Sequence, residues 1–255
     1  MENTALVGLS RQVSLARELD VVANNLANMD TTGFKADGAM FEEYLMPIAR
    51  DDNFPGAAKR LSFVQDRATW HDLTQGPVHQ TGNPLDVALD GNGFLAVQTP
   101  RGERYTRNGA LQINSQGQLV TTEGYQVLGE NGPIVFQPLD RQISISQDGR
   151  ISVLEGPGAK TDSQRGKLRV VSFTSTASLQ KDSSTTFAPP AGVGPQPAPT
   201  VRVVQGAIEK SNVRSMVEMT RMIELTRTYT QVSAMLQQQS DLRKSAIEQL
   251  AEVPA

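Results

Sequence analysis

Two stretches of this chain contain almost no glycine or proline, and they lie at its opposite ends. Residues Thr4 to Asn28 hold one glycine and no proline, and Ala207 to Ala251 hold neither. Between Leu73 and Phe187 glycine recurs throughout, at 76, 82, 91, 93, 102, 109, 117, 124, 129, 132, 149, 156, 158 and 166. Glycine and proline interrupt a helix at greater cost than any other residues. The chain is therefore confined to two long terminal helices around an insert of short elements, and the expected class is α+β.

In the first stretch Leu6, Leu9, Val13, Ala16, Leu19, Ala23 and Leu26 recur at threes and fours, the period of one helix face. Leu15 and Val22 widen that face beyond a two-stranded seam. The predicted helix is roughly 38 Å long. It stops where Asn28, Met29 and Asp30 lead into Thr31, Thr32 and Gly33, types that favour caps and turns. Phe34 and Lys35 follow at a fixed offset. The second helix is predicted to open at Gly206 and run from Ala207 to Ala251, roughly 68 Å. Met222, Leu225, Tyr229, Val232 and Leu236 form one stripe on it, with Val213, Met216, Met219 and Ile223 adjacent. Neither helix can bury its stripe alone, so the two are predicted to pair as a coiled coil.

Residues 36–72 read as a connecting segment, in which Met40, Phe41, Tyr44, Leu45 and Met46 suit a short helix or strand and Asp51 to Gly56 a turn. From Leu73 onward, short apolar runs between turn residues indicate an all-β, mainly antiparallel domain. The runs are Val87–Leu89, Phe94–Val97, Gln118–Thr121, Tyr125–Leu128, Ile143–Ile145, Ile151–Val153 and Leu168–Phe173. Asp90–Gly93, Glu130–Gly132 and Gln147–Gly149 have hairpin-turn composition. Pro189 to Pro199 carries five of the 14 prolines and reads as a spacer or an ordered strap. The expected division is 1–35 plus 206–255 as a helical part, 36–72 as connector, and 73–205 as a β domain ending in that strap.

Composition narrows the function. Hydrophobic residues are 38% and aromatics 5% of the 255, a low apolar share that points to surfaces completed by another chain. A net charge of −3 with mixed signs carries no nucleic-acid or anionic-membrane footprint. Cysteine is absent, which removes disulfides and thiolate chemistry and suits passage into an oxidising compartment. No stretch approaches the roughly 18 apolar residues of a membrane span. The start, Met1 to Leu6, does not read as a cleavable Sec signal.

Catalytic and metal constellations are weak, and no cofactor is expected. His71 and His79 are the only histidines and lack a third ligand. Asp86 and Asp90 on one strand would stand roughly 13 Å apart, too far for glycosidase carboxylates. Gly156, Gly158, Gly166 and Lys167 lack phosphate-loop spacing. Arg214, Arg221 and Arg227 alternate with Glu218 and Glu224, a solvated or intersubunit pattern.

Three asparagines within one turn, Asn24, Asn25 and Asn28, call for a reason, since each is less favourable in a helix than alanine by about half a kcal/mol. They cap the helix end, or their amides bond across helices and fix register. The run Ala23, Asn24, Asn25, Leu26, Asn28, Thr31, Thr32, Gly33, Phe34 and Lys35 resembles the N-terminal signature of bacterial flagellar rod, hook and hook-associated proteins. Met29 and Asp30 stand where that family more often has a small residue and Asn. Glu209, Ser211, Asn212, Val213, Met219, Ile223, Arg227 and Tyr229 are similar to the family's C-terminal pattern, and Thr81–Phe94 with Tyr105–Gly109 to its shared β domain. The opening Leu6–Gln12 and Leu19–Val22 look more like a proximal-rod than a distal-rod member.

The resemblance implies a structural, non-enzymatic subunit of the flagellar basal-body rod, its proximal part first and a distal-rod or hook-type subunit as alternative. It implies that the two terminal motifs are assembly motifs. It also implies neighbouring rod subunits as partners, self-assembly, a periplasmic location, and delivery by the flagellar type III export apparatus without a cleavable signal. Both ends are expected to be largely disordered before assembly. A competing reading is a secreted β-domain binding module with helical oligomerisation arms, which predicts a convergent polar pocket within 73–187, or a sugar site at Trp70 and nearby tyrosines.

Overall fold

The computed structural model describes residues 2–47, 60–156, 162–190 and 192–251. They divide into two compact units. One takes residues up to Ala27, Asp37–Trp70, and the chain from Arg214 onward; the other takes Asn28–Ala36 and His71–Val213. The chain passes between them at 27/28, 36/37, 70/71 and 213/214; the sequence reading divided it at 35/36, 72/73 and 205/206.

The helical unit pairs α1 (Glu2–Ala27) with α2 (Ser215–Ala251). Their seam is Leu15, Val22 and Leu225, all buried, with Leu19, Met222, Tyr229 and Val232 packed around them. Gly8 lets the seam close further along, because a Cβ there would lie 2.6 Å from Leu236 Cδ2. Glu18 accepts from Arg221 Nη2 at 2.6 Å and Nε at 3.1 Å, and Gln12 donates to the Tyr229 hydroxyl at 3.2 Å. The α2 stripe thus packs as its rhythm predicts.

The α1 stripe does not. Leu6, Leu9 and Val13 are 50%, 52% and 61% exposed. The reason is geometric: steps averaging about 3.3 residues fall short of a 3.6-residue turn, so the series from Leu6 to Leu26 swings back around the helix by roughly 160°. Only its later members reach the seam, where Leu15 and Val22 lead. On α2, Met216, Met219 and Ile223 are exposed as well.

The unit also holds a two-stranded sheet of β1 (Asp37–Pro47) and β2 (Arg60–His71). The connector therefore takes the strand alternative around Met40; the expected turn at 51–56 lies outside the described residues. At the base of β1, a Cβ on Gly38 would fall 2.3 Å from Trp70 Nε1. The indole thus rests directly on bare backbone.

The β unit is antiparallel throughout its paired strands. Phe94–Thr99 is its central strand, paired with Gly102–Thr106, Gln126–Gly129 and Val170–Ser172. Its side chains alternate between two cores, as a pleated strand requires. Leu95 and Val97 join Leu89, Val127, Ile151 and Leu168 on one face, and Phe94 and Ala96 join Tyr105, Phe173 and Phe187 on the other. A three-stranded sheet, Asp140–Ile145, Arg150–Glu155 and Asp162–Lys167, adds Ile145, Ile151 and Val153 to the first core. The proline-rich stretch is an ordered strap where described, with Gln196 and Pro197 paired to Ser172 and Val171.

Two expectations are corrected here. The C-terminal helix begins at Ser215, not Ala207. Ala207–Glu209 is a strand paired with Val78–Gln80, because Glu209 and Asn212 are held in backbone-directed bonds that a helix would forbid. Asp90–Gly93 is not a hairpin: Val87–Asp90 pairs with Arg202–Gln205, while Phe94 starts the central strand. Its glycines serve passage instead, since a Cβ at Gly93 would lie 2.9 Å from Val201 Cγ2. By contrast, Glu130–Gly132 and Gln147–Gly149 do connect paired strands.

Leu95 is fully enclosed and Leu139 is 61% exposed. Leu95→Ala is expected to lower unfolding free energy by about 2–5 kcal/mol. Leu139→Ala should stay within about 0.5 kcal/mol, both read by urea titration.

Candidate functional site

The N-terminal motif is divided between the two units. In the helical unit Asn25, buried on α1, donates from Nδ2 to the Asp37 carbonyl and accepts the Asp37 N–H at Oδ1, both at 2.8 Å. This amide mimics a strand partner, satisfying both backbone groups at the start of β1. Exposed Asn24 donates to the Asp37 carboxylate at 3.1 Å. Ala23 and Leu26 are half-buried. The asparagines thus fasten a helix to a strand within the chain.

The rest of the motif sits in the β unit. Asn28 shapes the turn, its carbonyl accepting the Thr31 N–H at 3.1 Å and its Oδ1 the Thr31 hydroxyl at 3.2 Å. Thr31 and Thr32 are half-buried, while Gly33, Phe34 and Lys35 are buried. Gly33 has φ +69°, and a Cβ would lie 2.4 Å from the Asn108 nitrogen; both conformation and space demand glycine. Lys181 Nζ lies 3.7 Å over the Phe34 ring, a cation–π contact that covers the buried ring, and donates to the Lys35 carbonyl at 3.0 Å.

Lys35 is wholly enclosed, and so is Glu209. Its ammonium donates to Glu209 Oε1 at 2.5 Å and to the Thr74 carbonyl at 2.6 Å. Glu209 Oε1 also accepts the Gly76 N–H at 2.9 Å, while Oε2 accepts Arg107 Nη1 at 3.1 Å. Arg107 is buried too; it donates to the Leu89 and Gly91 carbonyls at 3.2 and 2.6 Å and lies 5.4 Å over the Phe94 ring. Burial pushes both cations below their ordinary pKa values, and Glu209 opposes the shift in each. Removing one member of such a cluster strands a buried charge, a loss of about 3–5 kcal/mol.

The C-terminal motif completes the joint. The Glu209 carbonyl accepts the Gly33 N–H at 2.8 Å, and Asn212 Oδ1 accepts the Ala36 N–H at 2.8 Å. Asn212 Nδ2 donates to the Asp72 carbonyl at 2.8 Å, and the Asp72 N–H donates to the Ala36 carbonyl at 2.8 Å. Three passages of chain, near 36, 72 and 212, are thereby tied side by side. Buried Ser211 accepts the Val213 N–H at 3.3 Å, and Val213 is half-buried. On α2, Tyr229 joins the seam, whereas Met219, Ile223 and Arg227 are exposed.

Sequence reasoning missed Arg107, Thr74, Asp72 and Asp37. The available signal was Arg107 itself, a cation in the run Tyr105–Gly109, which is buried throughout. The residues weighed for chemistry have structural surroundings. His71 packs edge-on against Phe187 at 5.9 Å and His79 is exposed on a strand. Asp86 accepts from Thr81 and Asn83 at 2.7 and 3.0 Å. Trp70 belongs to the helical unit and Tyr105 is buried. An open groove near Asn114, Phe136 and Asp140 has polar groups already spent on Arg165 and on the Gln116 and Gln118 N–H groups. Among the described residues no group of three or more His, Asp or Glu could hold a metal, and no helix is long and apolar enough to cross a membrane.

Gly33→Ala is expected to cost at least about 2 kcal/mol, measured by urea unfolding with far-UV circular dichroism. Because Lys35 is more easily deprotonated folded than unfolded, the unfolded chain binds more protons at pH values below 10.5. Stability should therefore gain as pH rises through that window. In Lys35→Met this part of the slope should vanish, as parallel urea titrations would show.

Comparison with known proteins follows the same segments. Residues 6–35 match a family described as flagella basal body rod protein, and residues 88–153 the flagellar hook protein FlgE/F/G D1 domain. Residues 204–249 match the flagellar basal body rod FlgEFG protein C-terminal family. The flagellar basal-body rod protein FlgF of Caulobacter vibrioides is 36% identical over 255 residues, covering 99% of this chain and all of the relative. The FlgF protein of Escherichia coli is 38% identical over 218 residues, 82% of each chain. The FlgG protein of Bacillus subtilis is 30% identical over 237 residues, 87% of this chain and 89% of the relative.

Proposed function

The chain belongs to the flagellar basal-body rod protein family, and from that premise we propose that it is a structural subunit of the proximal rod. FlgF relatives matched over the full chain support the proximal position; the FlgG matches favour a distal-rod role only secondarily.

The observation that carries the reading is the apolar surface left on the helices. Leu6, Leu9 and Val13 on α1 and Met216, Met219 and Ile223 on α2 remain exposed after the two helices have closed their own seam. Apolar residues at helical spacing outside a satisfied seam are what neighbouring subunits would cover in an open, head-to-tail stack. The helices form the axial part that polymerises around an export channel, and the β unit forms the outer part. Torque passes through many such contacts, and no reaction is catalysed. The partners are other rod subunits, including further copies of itself. The site of action is the basal body in the periplasm, reached through the flagellar type III export apparatus.

Ile223→Asp tests the reading. The variant is expected to unfold within about 0.5 kcal/mol of wild type, yet to leave a strain lacking the native subunit as non-motile in soft agar as the deletion itself. Normal swimming with that substitution would overturn the axial-interface assignment.

A further inference from the structure

The loop 28–36 has a peculiarity that assembly does not explain. Thr31 and Phe34 bond within it, but its donors at Gly33, Lys35 and Ala36 find their acceptors outside it, chiefly on the other end of the chain. Gly33 N–H donates to the Glu209 carbonyl, Lys35 Nζ to the Glu209 carboxylate and the Thr74 carbonyl, and Ala36 N–H to Asn212 Oδ1. Lys35 and Glu209 are 174 positions apart. Arg107 already occupies the floor beneath this loop, buried and bonded to Leu89 and Gly91 carbonyls. Without Glu209, docking the loop would enclose two cations with only the Asp72 carboxylate near Lys35 as counter-charge and leave two backbone N–H groups without their acceptors. Either omission is strongly unfavourable in a water-poor site. With Glu209 present, one carboxylate answers both cations.

We propose that the Lys35–Glu209–Arg107 cluster is a completion latch: the loop 28–36 stays off the β unit until the C-terminal segment 207–212 has paired with Val78–Gln80, and then closes onto it. In a chain that emerges amino end first, as every nascent chain does, the loop waits for almost the whole sequence. The loop that follows α1 is thus fixed only when the strand 207–209 is in place. This follows from contacts inside the β unit alone and holds whichever assembly the subunit joins; its failure would leave the rod reading untouched.

Pulse-labelled hydrogen exchange during refolding of the full wild-type chain tests the order. The probes are Ala96, whose N–H donates to Arg169 in the central sheet, Lys210, whose N–H donates to Pro77, and Gly33 and Ala36 in the loop. Ala96 should gain protection first, then Lys210, with Gly33 and Ala36 no earlier than Lys210. Loop amides protected ahead of Lys210, or all four in a single phase with Ala96, would overturn the latch. In native Glu209→Gln, exchange at Gly33 and Ala36 should accelerate at least about 100-fold and at Ala96 less than about tenfold. An unchanged loop, or equal acceleration at all three, would overturn it as well.

Discussion

The Glu209 carboxylate holds the β unit's two chain ends in one place. It meets Lys35 from the N-terminal loop and Arg107 from the strand end after Thr106, and takes the Gly76 N–H besides. The cluster carries one more cation than anion, and the excess is spread over the carbonyls of Thr74, Leu89 and Gly91. Gly76 lets the C-terminal segment come close beside the cluster. A Cβ on Gly76 would lie 2.1 Å from the Lys210 carbonyl oxygen. Such a cluster contributes definition of one arrangement more than raw stability, which suits a joint where five passages of chain, near 35, 75, 90, 107 and 209, must keep their places.

What the family motifs do follows from that joint. The N-terminal signature reads as one linear element, yet its asparagines act on α1 and β1 while its Gly33, Phe34 and Lys35 act inside the β unit. The C-terminal pattern divides likewise, with Glu209, Ser211 and Asn212 in the β unit and Tyr229 in the helical seam. Residues free to meet neighbours are the exposed members, Met219, Ile223 and Arg227. Intrachain fastening is therefore carried by the buried parts of these signatures, which leaves the exposed parts for the subunit contacts proposed above, and a substitution at Lys35 and one at Ile223 should fail for different physical reasons.

Legibility differed between elements for reasons of period and range. The α2 stripe was readable because Met222, Leu225, Tyr229, Val232 and Leu236 average about 3.5 residues a step and drift by only roughly 40°. The α1 stripe misled because its shorter mean step drifts around the helix, and no local rule says which arc of the spiral meets a partner. Strands such as Phe94–Val97 were readable from short apolar runs between glycines, but turn composition alone did not separate the hairpins at Gly132 and Gly149 from Gly91, which has positive φ as well. Residues 207–214 read as helix because they lack Gly and Pro, but tertiary bonds from Glu209 and Asn212 override propensity there. The partners of Lys35 lie 39 and 174 positions away, beyond any pattern confined to neighbouring residues.

A double-mutant cycle on the full-length chain, comparing Lys35→Met, Glu209→Gln and the pair by urea unfolding, tests the shared-carboxylate account most directly. The account predicts a coupling energy of at least about 2 kcal/mol, with the pair of substitutions milder than the sum of the singles. Additive effects within about 0.5 kcal/mol would contradict it.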